Sequence, residues 1–124
     1  SNGTKWYENV DTIQQIFNSS DILIGNNIKF DLSMISNTYK IKVPDSKDKN
    51  VLDLQNVLRY YKGRNYKLED FCKIYLAEKN LPNDYFEKLF KTVIVSNDCK
   101  FHSARFDAFV TAFLYFDLSG IKWI

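Results

Sequence analysis

The chain has 124 residues, a net charge of +2 at pH 7, and 45% hydrophobic against 26% charged residues. That length suits one domain burying about two-thirds of its unfolded surface, and that balance excludes disordered and fibrous classes. No apolar run is long enough to cross a bilayer and no leader pattern opens the chain, so no membrane partner and a cytoplasmic location are expected; a pI near 8.4 permits a nucleic-acid partner without requiring one.

Ser1-Asn2-Gly3 carries no Met and resembles a cloning remnant ahead of a truncated chain, and residues 1–9 read as irregular. Asp11-Thr12-Ile13-Gln14 has the form of a capping box. Ile13, Ile16 and Phe17 then give a short amphipathic helix closed by Asn18-Ser19-Ser20. Asp21-Ile22-Leu23-Ile24 reads as a buried strand, and Gly25-Asn26-Asn27 as the turn after it. From Ile28 to Asn37 the pattern is helical, with Ile28, Leu32 and Ile35 on one face and Phe30 and Met34 nearby. Asp31 follows Asn27 by one helical turn, so both are expected on the same side of the helix start.

Lys40-Ile41-Lys42-Val43 alternates like a brief strand, and residues 45–50 form a charged loop. Val51 to Tyr61 reads as one helix, with Leu54, Val57, Leu58 and Tyr61 on one side and a glycine-bearing stop at Lys62-Gly63-Arg64-Asn65. Leu68, Phe71, Cys72, Tyr75 and Leu76 mark the next helix. Leu81-Pro82-Asn83 breaks the chain, and Asp84 with Glu87 looks like a capping box for a helix through Phe90. Val93-Ile94-Val95 is apolar and β-branched but short. Cys72 and Cys99 lack metal-type spacing, and a buried free thiol at Cys72 fits a reducing compartment. No repeat or linker interrupts the chain, so a single domain is expected.

The stretch from Phe101 to Phe116 contains the one histidine, His102, and an aspartate, Asp107, ahead of an apolar run. Phe106, Phe109, Val110, Phe113 and Leu114 step by three and four, with Ser103 as the expected N-cap. His102 is therefore expected on the loop before a buried helix, and Asp107 in its second turn. Ala104, Ala108 and Ala112 leave room around them. A carboxylate among so many aromatics is costly unless a metal or a hydrogen bond satisfies it.

Ile22-Leu23-Ile24-Gly25-Asn26-Asn27-Ile28-Lys29-Phe30-Asp31 resembles the second motif of the DnaQ-like 3′–5′ exonucleases, where a strand ends in a turn followed by Asn-x-x-Phe-Asp. His102-Ser103-Ala104-Arg105-Phe106-Asp107 resembles the third motif of their DEDDh branch, His-x-Ala-x-x-Asp. Between them, Val51-Leu52-Asp53-Leu54 looks like the family's "DTL" helix start, and Lys67-Leu68-Glu69-Asp70-Phe71-Cys72 like its "sLxxLC" helix. The four pieces stand in family order and span roughly residues 10 to 118.

The resemblance implies an α/β fold of ribonuclease H-like type, truncated at the N-terminus, with helices packed on a reduced sheet. Residues 1–124 would be a single domain, the C-terminal two-thirds of the family fold. Asp31 and Asp107 would be metal-binding carboxylates, His102 the general base on the attacking water, and Asn27 and Phe30 would order the turn and meet the substrate strand. The cofactor would be Mg²⁺ or Mn²⁺, which hard oxygen donors suit. Phosphodiester hydrolysis uses one cation to activate water and a second at the leaving oxygen, and a histidine titrating near neutrality suits proton removal. The partners implied are single-stranded or 3′-end DNA or RNA, a polymerase or other domains of a parent protein, and a second copy of the fragment.

Two departures from the family pattern stand out. Asn26 occupies a place where the family usually has His or Gln, which is not a metal ligand. The first motif, Asp-x-Glu, is missing: no Asp in these 124 residues has Glu two positions later. Three readings remain open: part of a metal-dependent exonuclease, inactive alone; a catalytically dead exonuclease-like module that binds nucleic acid or a protein; and a plain helical domain with accidental motif matches.

Overall fold

The computed structural model describes the backbone of residues 6–94, 101 and 103–120, with side chains from Asp11 onward except that of Ile94. Among the described residues, six helices and a two-stranded parallel sheet give a mixed α and β chain that is mostly helical. The chain divides into two compact units between Asp53 and Leu54.

The first unit runs α1 (Trp6–Ser19), β1 (Leu23–Gly25), α2 (Ile28–Tyr39) and β2 (Val51–Asp53). The helix α1 starts at Trp6, ahead of the Asp11 box, so Asp11 lies within the helix and does not cap it. Its end falls where the serines stand. The Ser19 and Ser20 hydroxyls donate back to the carbonyls of Gln15 and Ile16, at 2.7 and 2.6 Å, competing with continuation of the helix. Strands β1 and β2 are parallel in the register Leu23↔Val51, Ile24↔Leu52 and Gly25↔Asp53. The connection through α2 makes this a β-α-β unit. Strand β1 is half-buried rather than buried, and Ile22 lies outside it with half its surface exposed. The core here is small: Ile28, Leu32 and Val51 are buried, with Phe17, Leu23 and Val43 packed against them.

Two further expectations fail in this unit. Lys40–Val43 is not a strand. Lys40 adopts the left-handed conformation (φ 57°) that closes α2, its N–H donating to the Ser36 carbonyl at 2.9 Å, and Val43 joins the small core without a ladder. Val51–Asp53 is strand, not helix. Its residues fit the three-and-four stripe of the helix that follows, but pairing with β1 supplies backbone hydrogen bonds that the local pattern does not reveal.

The second unit contains α3 (Leu54–Lys62), α4 (Leu68–Glu78), α5 (Tyr85–Ile94) and α6 (Ala104–Ser119). Its core is aromatic. Phe71, Phe86, Phe90 and Phe106 are essentially inaccessible, together with Leu54, Leu58, Val110 and Leu114. Phe90 meets Phe106 edge-on at 5.4 Å, and Phe113 meets Phe86 the same way at 5.4 Å, the arrangement that ring quadrupoles favour. In α6 the expected stripe holds: Phe106, Val110 and Leu114 are buried, and Phe109 and Phe113 lie half-buried beside them. Ser103 caps that helix by accepting the Phe106 N–H at 3.5 Å, and Gly120 (φ 77°) closes it. The helix α5 continues past Phe90, so Val93 and Ile94 are helical.

The Gln55 side chain helps to fix the corner between α3 and α4. Buried Gln55 donates its amide N–H to the Tyr66 carbonyl at 2.7 Å, and its amide oxygen accepts the Tyr66 N–H at 3.0 Å. Both backbone groups of a loop residue are thereby satisfied as a neighbouring strand would satisfy them. No helix among the described residues is long and apolar enough to cross a membrane.

Candidate functional site

In the first unit, candidate residues gather where β1 ends and α2 begins. Gly25 ends the strand, and a Cβ there would stand 2.9 Å from the Ile28 Cβ, closer than real Cβ atoms come. Only glycine allows the strand end to pass so near the first helical turn. Asn27 follows in the left-handed conformation (φ 63°, ψ 51°), which asparagine tolerates better than most residues. Its carbonyl accepts the Phe30 N–H at 3.1 Å. Its side chain makes no capping bond to α2.

The cap comes instead from β2. Asp53 Oδ1 accepts the N–H of Asn27 at 2.9 Å, and Oδ2 accepts the N–H of Ile28 at 3.1 Å. One carboxylate thus satisfies two amides at the helix start, where the helix dipole also favours negative charge. Asp31 lies in the first turn of the same helix. Burial, and then the nearby Asp53 charge, push its carboxyl above the ordinary carboxylate range. Both causes disfavour the ionised form of Asp31, and a bound cation would offset them. Phe30 stands 57% exposed next to Asp31, leaving its ring reachable from solvent.

In the second unit Asp107 lies in the first turn of α6, one turn earlier than expected, with its N–H donating to the Ser103 carbonyl at 2.9 Å. It is half-buried. Cys72 is a buried free thiol, pushed up to about 12 by burial first and then by the charges of Asp107, Glu87 and Glu69. Burial also raises the Glu87 carboxyl, with Asp84 adding to it against Lys91. Asp107, Glu87 and Glu69 thus all bear on the Cys72 thiol. His102 lies outside the described residues, as does Cys99.

Oxygen donors at Asp31 and Asp107 fit a hard divalent cation in kind. Among the described residues, no three His, Cys, Asp or Glu side chains form a metal-holding group. Asp53 is the acidic neighbour of Asp31 that periodicity does not single out. Asp53 had a partial signal in its place before a helix start, but its partners are 26 and 25 positions away in sequence. No protein-family model, curated protein or solved structure matches the chain.

Proposed function

We propose that the chain is part of a metal-dependent 3′–5′ exonuclease of ribonuclease H-like fold, acting on single-stranded or 3′-terminal DNA or RNA. The observation that carries this reading is the β1–α2 junction. A parallel strand ends in a glycine, a left-handed asparagine follows, and Asp31 then enters the first helical turn beside a second carboxylate. Carboxyl ends of parallel strands are where open α/β sheets bind ligands. A strand, a turn and then Asn-x-x-Phe-Asp is also the order of the second motif that the sequence resembles, which supports the reading. The Ser103-capped start of α6 carries Asp107 of the third.

In this reading Asp31 and Asp107 hold Mg²⁺ or Mn²⁺, which would supply charge neutralisation at the phosphate and a more acidic water. His102 would be the general base that accepts the proton of the attacking water. Asn27 orders the turn, and exposed Phe30 offers its ring to a terminal base. Two carboxylates are a poor cage for Mg²⁺, which needs several hard ligands, so activity requires an Asp-x-Glu strand from elsewhere in the polypeptide. If that strand does not exist, the alternative takes over: a catalytically inactive module binding nucleic acid or a protein partner.

The test uses the full parent polypeptide and a labelled oligonucleotide. His102→Ala is expected to cut turnover by about 10²–10⁴-fold with an unchanged melting temperature. Asp31→Asn and Asp107→Asn are expected to abolish Mg²⁺-dependent digestion. A destabilised but fully active His102→Ala protein, or vigorous digestion by these 124 residues alone, would overturn the assignment.

A further inference from the structure

Between Leu54 and Lys67 the chain carries four basic residues, Arg59, Lys62, Arg64 and Lys67, three tyrosines and no acid. The whole chain has a net charge of only +2, so this segment concentrates positive charge. Lys62 is neutralised by Glu78 at 2.8 Å. Of the other three cations, Arg59 and Arg64 are held by neutral groups. Arg59 donates to the side chains of Asn65, at 2.7 Å, and Asn56. Arg64 donates to the Asn65 carbonyl at 3.1 Å, with its guanidinium 4.3 Å from the Tyr66 ring centre. Lys67 is exposed at the N-cap of α4.

The tyrosines add flat surface. Tyr60 is 80% exposed and Tyr61 55%, which leaves both outside the aromatic core of this unit. Their rings meet edge-to-face, 4.7 Å apart and at 89°. The corner beneath is rigid, because Gln55 clamps Tyr66 from inside. Gly63, at its apex, has nothing within 4 Å of where a Cβ would be. The approach is therefore open, and little ordering remains to oppose binding.

We propose that this corner is a binding surface for single-stranded nucleic acid, with Tyr60 and Tyr61 stacking on bases and Arg59, Arg64 and Lys67 contacting backbone phosphates. Exposed rings interleaved with unneutralised cations match the two components of such a strand, since every base has a stackable face and every linkage a negative charge. An acidic peptide would answer the cations and leave the rings idle. The surface lies wholly within the second unit. It does not rest on the exonuclease reading and needs no metal.

The experiment is fluorescence anisotropy with the full chain in EDTA, using labelled oligo-dT and oligo-U of about fifteen nucleotides. A matching duplex and polyglutamate serve as competitors. The two oligonucleotides distinguish deoxyribose from ribose strands. Binding is expected to fall about 20- to 50-fold between about 50 and about 200 mM salt, the slope for three or four phosphates on a single strand. Tyr60→Ala and Tyr61→Ala should each weaken it about tenfold, while Tyr60→Trp retains it. The Arg64→Glu, Lys67→Glu double variant should weaken binding and flatten the salt slope. Tyr60 is so exposed that its alanine variant is expected to melt with the parent, and Tyr61→Ala gives an independent readout. Undiminished binding by both alanine variants would overturn the proposal. So would displacement by duplex or polyglutamate as effective as by the unlabelled oligonucleotide, because charge alone would then explain the binding.

Discussion

The two units hold themselves together by different means. In Leu54–Ile124 a continuous set of buried rings and leucines ties four helices, and the polar groups are subordinate. Among the described residues of Ser1–Asp53 only Ile28, Leu32 and Val51 are buried, and a three-residue ladder plus the Asp53 carboxylate set the geometry. Volume secures the first arrangement. A single acidic side chain carries much of the second, at the same junction that holds Asp31. A functional site placed in the weakly cored unit can adjust to a ligand cheaply. One placed in the aromatic unit is held in position by packing.

The largest test of this contrast is Phe106→Ala. Its ring is inaccessible and contacts Phe90 and Phe101. Removing it should cost about 3–5 kcal/mol, a large part of the roughly 5–15 kcal/mol that stabilises an ordinary domain. Thermal melts followed by circular dichroism should show a strong drop, and a loss below about 1 kcal/mol would mean that the rings are not the support described.

Asp53→Ala probes the other unit. Losing two charge-assisted bonds at a helix start should cost about 2 kcal/mol. The loss should appear as faster amide exchange in α2 with α4 unchanged. Equal acceleration in both helices would erase the distinction.

The smallest effect concerns Asp31. Its carboxyl is raised above the ordinary value of 3.8, so the folded chain holds that proton more tightly than the unfolded chain does. The resulting stability is complete below the ordinary value and disappears as pH rises through the raised one. Asp31→Asn removes the repulsion with Asp53. It should melt slightly above the parent at pH 7 and close to it at about pH 3. A variant less stable than the parent at pH 7 would show that Asp31 has a favourable partner instead.

What the sequence discloses depends on the range of the interaction. The α4 and α6 stripes, the Ser103 cap and the left-handed potential of Gly25-Asn26-Asn27 are local, and each is visible within one or two turns of chain. Val51–Asp53 was hidden because Val51, Leu54 and Leu58 continue a helical spacing, while the deciding partner, β1, is distant. Lys40–Val43 shows the converse: alternation without a partner strand makes no sheet. At the candidate site, motif order proposes Asp31 and Asp107. The Asp53 cap and the acidic groups bearing on Cys72 are not visible there, because they arise from contacts between elements.

The Gln55 clamp has a consequence for inheritance. Its amide is asked to give and to receive, towards one residue eleven positions on. Glutamate has the reach but cannot donate, lysine cannot accept, and asparagine is one methylene short. The codon for this inconspicuous polar residue therefore has less freedom to drift than many of the leucines beside it, for which isoleucine or methionine would serve.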